Sequence, residues 1–435
     1  MIEKNSLVTL NYTMMNGRGE VLENRRTTYL QGSSAISPIL QAQLEGLEPG
    51  QTKKVFLKKG QENADDDFTF DILIESVRRA MQIHLLSGFL GSGKTTAIAQ
   101  ACGLLSKSGI PTAIISNDQG DKLVDGAFFD YLGIPARQVT NGCFCCNYNE
   151  LDRCILSLTG NNHPAILFAE SVGSCTDLVA TVLKPLLEQY PGWRPTVSVF
   201  ADANLVPDIL EDHTDFDPAV RYIYLKQLEE AQVIVVTKTD QVADEAAIRH
   251  LVSKYYPAQT ILYQNSFDSD HILHWLQTLE QLSSQSVNPS LGVDYDLPPS
   301  LNIDYDLYGA GEAKLAWLDQ QLVIESPSNN AQSAALTLVT RLSQTTHPIG
   351  HLKCLIDGAI KISFTSTGTT RPILTHPAAS ASLLINARIQ TTPDLLFELM
   401  ADAIQATEKA HDCTIRTLTA TCFQPGFPRP THRIP

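Results

Sequence analysis

No run of about 18 apolar residues occurs anywhere in the chain, so no helix is expected to span a bilayer. Met1-Ile2-Glu3-Lys4 is not followed by an apolar leader core either, and a soluble, cytoplasmic protein is expected. Positive charge is in short supply. Lys and Arg number 32 against 47 Asp and Glu, a net charge of −15. That deficit argues against nucleic acid or an anionic membrane as the main partner. A disulfide framework is missing too. The nine cysteines are odd in number and clustered rather than spread, which in a reducing compartment points to metal or redox chemistry. At 435 residues, two or three domains are expected.

The stretch Met81 to Thr96, MQIHLLSGFLGSGKTT, organises the rest. Ile83-His84-Leu85-Leu86 suits a buried strand. Gly88-Phe89-Leu90-Gly91-Ser92-Gly93-Lys94-Thr95 then fits G-x-x-x-x-G-K-[ST] at every fixed position, and helix-forming sequence follows. Gly88, Gly91 and Gly93 let the backbone curl so that its N–H groups, with those of Ser92, Thr95 and Thr96, face phosphate oxygens at a helix N-terminus. Lys94 is expected to reach the β- and γ-phosphates, and the Thr95 hydroxyl to bind Mg²⁺.

Strand and helix patterns alternate after this loop, which predicts an α/β fold, a P-loop NTPase with a parallel sheet covered by helices. Pro111 to Asn117 reads as a strand ending in Asn117-Asp118-Gln119-Gly120. Asp118 there is either a Mg²⁺-side carboxylate or an Asx-turn residue. Ala165 to Glu170 is another strand ending in an acid, the position from which Glu170 would orient the metal's water shell, with Gly173 beyond it to sense the γ-phosphate. Val233-Ile234-Val235-Val236 leads into Thr237-Lys238-Thr239-Asp240. Asp240 can accept from N1–H and the exocyclic amine of guanine, a pair adenine lacks, so GTP is preferred to ATP. Lys238 can lie across the base, and Thr237 stands where Asn is common.

Thr140-Asn141-Gly142-Cys143-Phe144-Cys145-Cys146-Asn147 is the second distinctive feature. Asn141-Gly142 makes a turn; Cys143 and Cys145 point to the same side if the segment is extended, and Cys146 can swing in if the backbone bends. Three thiolates this close suit Zn²⁺, Co²⁺, Ni²⁺ or Cu⁺ with one position open, or else form a redox pair. Cys154 and Cys175 read as packed residues, as do isolated cysteines such as Cys102.

GFLGSGKTT, NGCFCC, ES-x-G and TKTD in that order resemble the CobW group of metal-associated GTPases, whose relatives include HypB and UreG. The resemblance covers about residues 81 to 285. It implies catalytic roles for Lys94, Asp118 and Glu170, a Mg²⁺ site at Thr95, Asp118 and Glu170, and a transition metal at Cys143, Cys145 and Cys146. It also implies transfer of that metal to a client metalloenzyme under nucleotide control, with a nucleotide- or metal-dependent homodimer as an expectation. NDQG and ESVGSCTD depart from the group's usual Asn-Glu-Phe-Gly and Glu-Thr-Thr-Gly-Leu-Ala.

Flanking segments read as separate domains. Residues 1–79 predict a small β-rich unit, with strands at Leu7–Thr13, Val55–Leu57 and Phe68–Ile74 and a turn at Asn16-Gly17-Arg18-Gly19. Through VTLNYT, GEVLEN, YLQG and LEGLEPGQ this unit resembles a shortened FKBP-type prolyl isomerase of the SlyD kind, with Tyr12 at a pocket aromatic position. The P-loop domain is expected over 80–285. Ser-, Asn-, Pro- and Asp-rich sequence from about Gln281 to Gly311, with the near-repeats Asp294–Pro298 and Asp304–Tyr308, predicts an exposed linker over 286–311. Residues 312–435 predict an α+β domain whose Pro-rich end, FQPGFPRPTHRIP, lies extended over the surface. His347 and His351, four apart, form a metal pair only if helical, and Pro348 and Gly350 favour a loop.

The expectation is therefore a GTPase, slow without client or metal, that delivers a metal of the zinc, cobalt or nickel class. The rival is a nucleotide-gated folding factor or scaffold with little metal transfer of its own.

Overall fold

The computed structural model describes residues 1–3, 6–32, 35–61, 64–79, 81–118, 124–140, 142–162, 164–190, 193–285, 297–367 and 375–435. Gln119, Gly120, Asn141 and the near-repeat at 294–296 lie outside the described residues. Two compact units emerge. One comprises residues 1–83, 186–196 and 279–297, and the other residues 84–185, 197–278 and 298–435.

The N-terminal sheet is antiparallel, with strands β1 (Ser6–Asn16), β2 (Val21–Leu30), β3 (Thr52–Leu57) and β4 (Phe68–Arg79) in the order β2-β1-β4-β3. Alternation along β1 buries Val8 and Leu10 against Tyr29, Val55 and Ile72. The short helix α1 (Pro38–Leu44) starts where Ser37 accepts from the Leu40 N–H and Pro38 fixes the first turn. The three strands read from the sequence are present; β2 and α1 were not anticipated.

A seven-stranded sheet carries the P-loop. Its elements are β5 (Gln82–Ser87), α2 (Lys94–Lys107), β6 (Thr112–Asn117), α3 (Val124–Tyr131), β7 (Ala136–Val139), α4 (Tyr148–Asn162), β8 (Ile166–Glu170), α5 (Lys184–Gln189), β9 (Arg194–Asp202), α6 (Val206–Glu211), α7 (Pro218–Glu229), β10 (Val233–Thr237), α8 (Glu245–Tyr255), β11 (Thr260–Gln264) and α9 (Ser269–Gln285). Strand order is β11-β10-β9-β5-β8-β6-β7. β5, β8, β9 and β10 are buried throughout, as strands covered on both faces must be.

The C-terminal part contains α10 (Tyr305–Ala313), β12 (Leu315–Glu325), α11 (Ala331–Ser343), β13 (Ile349–Ile356), β14 (Ile360–Phe364), β15 (Ser380–Gln390), α12 (Pro393–His411) and β16 (Thr414–Phe423). The sheet runs β14-β13-β15-β12-β16. Period-two alternation gives it two chemically different faces. Leu318, Leu352, Cys354, Ile385 and Ala387 enter an apolar core with α11 and α12 residues Leu338 and Met400. The opposite face carries Trp317, Asp319, His351, Lys353, Asn386 and Arg388, in cross-strand register as His351↔Arg388↔Trp317 and Lys353↔Asn386↔Asp319.

That polar face meets the P-loop domain. Fully buried Arg388 bonds Asp118 at 2.9 Å and Asp319 at 2.7 Å while lying over the Trp317 ring. Asn386 accepts from the Val124 N–H at 2.8 Å.

One expectation needs correction, and the non-helical alternative favoured for the histidine pair holds. Residues 305–311, read as exposed linker, form most of α10. Asp304 caps it by accepting from the N–H groups of Asp306 and Leu307, and Tyr308 is buried beside Ile223 of α7. Asp in such a string is equally an N-cap residue, and the apolar residues around it decide which. His347 and His351 share no helix. His351 sits in β13 and His347 just before it.

Replacing Arg388 with Met is expected to cost about 3–5 kcal/mol in urea unfolding, because it leaves Asp118 and Asp319 buried without their common cation.

Candidate functional site

The P-loop turns sharply between β5 and α2. Gly88 has φ +127°, and a Cβ there would meet Phe200 O at 2.2 Å. Only glycine fits that turn. Gly91, φ +74°, backs onto Thr365 and Gly350 of the C-terminal sheet. Buried Lys94 donates to the carbonyls of Gly88 and Phe89, the latter at 3.3 Å. Burial pulls its pKa down to about 8 despite the nearby Glu170 carboxylate. A polyanion supplies the charge this lysine lacks.

Thr95 Oγ1 donates to Glu170 Oε1 at 2.8 Å, and Glu170 Oε2 is buried without a hydrogen-bond partner. A hydroxyl and an unspent carboxylate oxygen at the end of the loop fit a hard oxygen-seeking cation, so Thr95 and Glu170 would hold Mg²⁺. Bound there, Mg²⁺ would neutralise β- and γ-phosphate charge. Burial raises the Glu170 pKa, aided by Asp125. Asp118 borders the same small cavity as Lys94, Glu170 and Gly173, but Arg388 already holds its Oδ1.

A cavity of about 440 Å³ opens from this point, within the range of ligand sites. Gly91 to Thr96, Glu170, Thr237, Lys238 and Asp240 all line it. Thr237 is committed elsewhere, donating to Ser92 O at 2.7 Å and Ala201 O at 3.1 Å, so it ties strand β10 to the P-loop. Lys238 (φ +59°) pairs with Asp202 at 2.5 Å. Exposed Phe267 and half-buried Asn265 also line the cavity. Sequence reasoning missed both, having no motif for the loop after β11. It also missed Lys353, Lys361, Ser363 and Thr365, which wall the cavity from the C-terminal sheet. Their cue was charge at alternate positions of an otherwise apolar strand.

The sulfurs of Cys143, Cys145 and Cys146 lie within 4.8 Å of one another. Asn117, the last residue of β6, builds their loop. Its amide donates to Val139 O and Gly142 O, and its oxygen accepts from the Phe144 N–H at 2.8 Å. Tetrahedral zinc with bonds of roughly 2.3 Å sets its sulfurs about 3.8 Å apart. Cys145 and Cys146, at 3.7 Å, match that edge; Cys143 and Cys145, at 2.8 Å, must part to admit a metal. Buried Cys175, two residues beyond Gly173, hydrogen-bonds with Cys143 and Cys145 and joins the cluster. Hydrogen bonding from Cys145 lowers the Cys143 pKa, whereas Cys145 is raised well above the usual thiol value by its bond to Cys143, and Cys146 to about 11. The cluster shares one favoured thiolate.

The Pro-rich end lies across this loop. The Arg429 N–H donates to Cys146 Sγ at 3.1 Å, the Thr431 N–H to Cys145 O at 2.8 Å, and Arg433 pairs with Asp177 at 2.8 Å.

A phosphate-binding loop and a thiol cluster thus flank the ends of β6 and β8. Residues 82–261 match the CobW/HypB/UreG nucleotide-binding domain. Among curated proteins, the chain is 30% identical over 170 residues to the zinc chaperone YjiA of Escherichia coli (strain K12), covering 39% of this chain and 52% of that protein. It is 28% identical over 185 residues to the zinc chaperone CobW of Sinorhizobium sp, covering 36% and 50%. The chain spans about half the length of the curated relatives it matches. A looser spatial likeness, TM-score 0.37 at 16% identity over 47% of this chain and 87% of the other, is to HypB from Helicobacter pylori in complex with nickel.

Because Cys145 and Cys146 hold their protons, metal binding must release them. Zn²⁺ affinity measured by competition with a chromophoric chelator between pH 6 and pH 8 is expected to rise about tenfold per pH unit for each proton released. Deleting residues 426–435 is expected to quicken modification of Cys146 by a thiol reagent several-fold, read as thiolate absorbance against time.

Proposed function

We propose that the chain is a GTPase that holds a transition metal of the zinc, cobalt or nickel class at Cys143, Cys145 and Cys146 and yields it to a client metalloenzyme as its nucleotide state changes. The observation that carries this reading is the Asn117 side chain. It fixes the cysteine loop through two hydrogen bonds and ties it to the end of β7 with a third, and its chain neighbour Asp118 borders the small cavity at the phosphate end. Movement at the end of β6 therefore moves both sites.

Each residue has a definite part. Lys94 and the P-loop N–H groups bind the β- and γ-phosphates. Thr95 and Glu170 would hold Mg²⁺ through the Thr95 hydroxyl and the unspent Glu170 oxygen, and Mg²⁺ there would supply charge neutralisation at the γ-phosphate. Water oxygen bonds to phosphorus as the bond to the bridging oxygen breaks, and the proton leaves with inorganic phosphate. Gly173 reports the γ-phosphate to Cys175 along a loop held by Gln227, which donates to the carbonyls of Gly173 and Cys175. Asp240 reads guanine.

The N-terminal unit is proposed as an FKBP-like docking domain for the client. Tyr12 and Phe70, with ring centroids 6.1 Å apart, offer an apolar wall for a peptide.

The deciding experiment is GTP turnover by metal-stripped protein with Zn²⁺, Co²⁺ or Ni²⁺ added in turn, beside Cys145→Ala. One metal is expected to bind at one equivalent and change the rate in the wild type alone. Identical turnover with every metal and in the variant would remove the metal from the reading. Asp240→Asn is expected to shift preference from GTP toward XTP by at least tenfold. Asn offers one acceptor and one donor, and xanthine presents a carbonyl where guanine has an amine; a single well-placed hydrogen bond is worth roughly that factor.

A further inference from the structure

Strand β13 brings a second cation to the phosphate end of the cavity. Lys353 alternates with Leu352 and Cys354, which enter the helix-covered core, so its side chain projects from the opposite face. There it borders both the nucleotide cavity and the small polar cavity that contains Lys94, Glu170 and Gly173. Its ammonium pairs with Asp125 Oδ2 at 2.5 Å, and Lys361 of β14 takes Asp125 Oδ1 at 2.8 Å. Asp125 lies in the first turn of α3 and borders the same small cavity.

Lys353, Lys361 and Lys94 gather, together with Glu170, on the cavity where the terminal phosphate of a nucleotide would sit. Lys353 is held there by Asp125, largely out of solvent, so its ammonium can turn to a phosphate oxygen as a charge-assisted donor. The hydroxyls of Ser363 and Thr365, on the same wall, add donors.

We infer that Lys353, from the C-terminal domain, is a γ-phosphate ligand. Asp125 holds its ammonium in the nucleotide-free protein and cedes it to the terminal phosphate of GTP, keeping Lys361. This rests on the proposed GTP site. Lys353 moves no proton. It stabilises charge on the γ-phosphate oxygens, a role that in this class of chemistry is performed by a cation reaching in from outside the P-loop. The exchange also couples the domains, because the partner Lys353 leaves is on α3 and the one it gains is the nucleotide. GDP, which lacks the γ-phosphate, leaves the Asp125 pairs in place.

The test is nucleotide affinity of full-length protein, measured with a non-hydrolysable GTP analogue and with GDP in separate titrations. Lys353→Gln is expected to weaken the analogue by about tenfold or more, the worth of one hydrogen bond to a charged group, and to change GDP affinity less than about threefold, under half of that free energy. Lys353→Arg should restore most of the analogue's binding, and Lys361→Ala should preserve the split between the two nucleotides. A merely structural lysine would move both affinities together, so parallel losses overturn the inference, as does an unchanged analogue affinity. If Lys353→Gln does not fold, Lys353→Arg alone decides it. A guanidinium that keeps analogue affinity within about threefold of the wild type supports a phosphate ligand, and one that loses both nucleotides equally overturns it. Wild type that binds neither nucleotide, or Lys94→Ala that binds both normally, would sink the GTP site itself; normal wild-type binding with an indifferent Lys353 sinks only this inference.

Discussion

A buried guanidinium shared by two carboxylates holds the nucleotide-binding domain and the C-terminal sheet in one unit. Arg388 is inaccessible to solvent, and both its carboxylate partners are largely so. Removing the guanidinium while the surfaces stay together would leave two largely buried carboxylates uncompensated, so the seam depends on all three groups being present. The C-terminal sheet therefore walls the cavity beside the P-loop and is no detached appendage. Its apolar face pays for folding through α11 and α12, which frees the other face to be polar.

The same economy of position appears at the cysteines. One amide side chain, Asn117 at the end of β6, satisfies two backbone groups of the cysteine loop and one at the end of β7. Cys175 reaches that loop from the segment following Glu170. A metal among these sulfurs and a phosphate at Lys94 would each bias the two strand ends that carry them, so coupling between the sites needs no long relay.

Much of this was legible in the sequence because it is local. The P-loop, the strands ending at Asn117, Glu170 and Thr237, and the C-x-C-C run are each written in consecutive residues whose spacing fixes their chemistry. What could not be read is whatever depends on a distant strand. Lys353 and Arg388 look like chance polar interruptions of β13 and β15 until the register puts them on one face. Asp118 carries no sign that a residue 270 positions later will claim it. Thr237 invited comparison with a base contact, whereas its hydroxyl ties strand to loop. The string before α10 misled because turn-forming residues also cap helices, and only the burial of Tyr308 separates the two.

Gly91 packed against Thr365 and Gly350 means that the cavity has a back wall. Asp240 stands at the other, more exposed end. A triphosphate bound as proposed would have to enter tail first, and the orthophosphate from its hydrolysis would lie behind the diphosphate. Either the diphosphate would then leave first, or the C-terminal sheet would have to lift from the P-loop against the polar seam around Arg388.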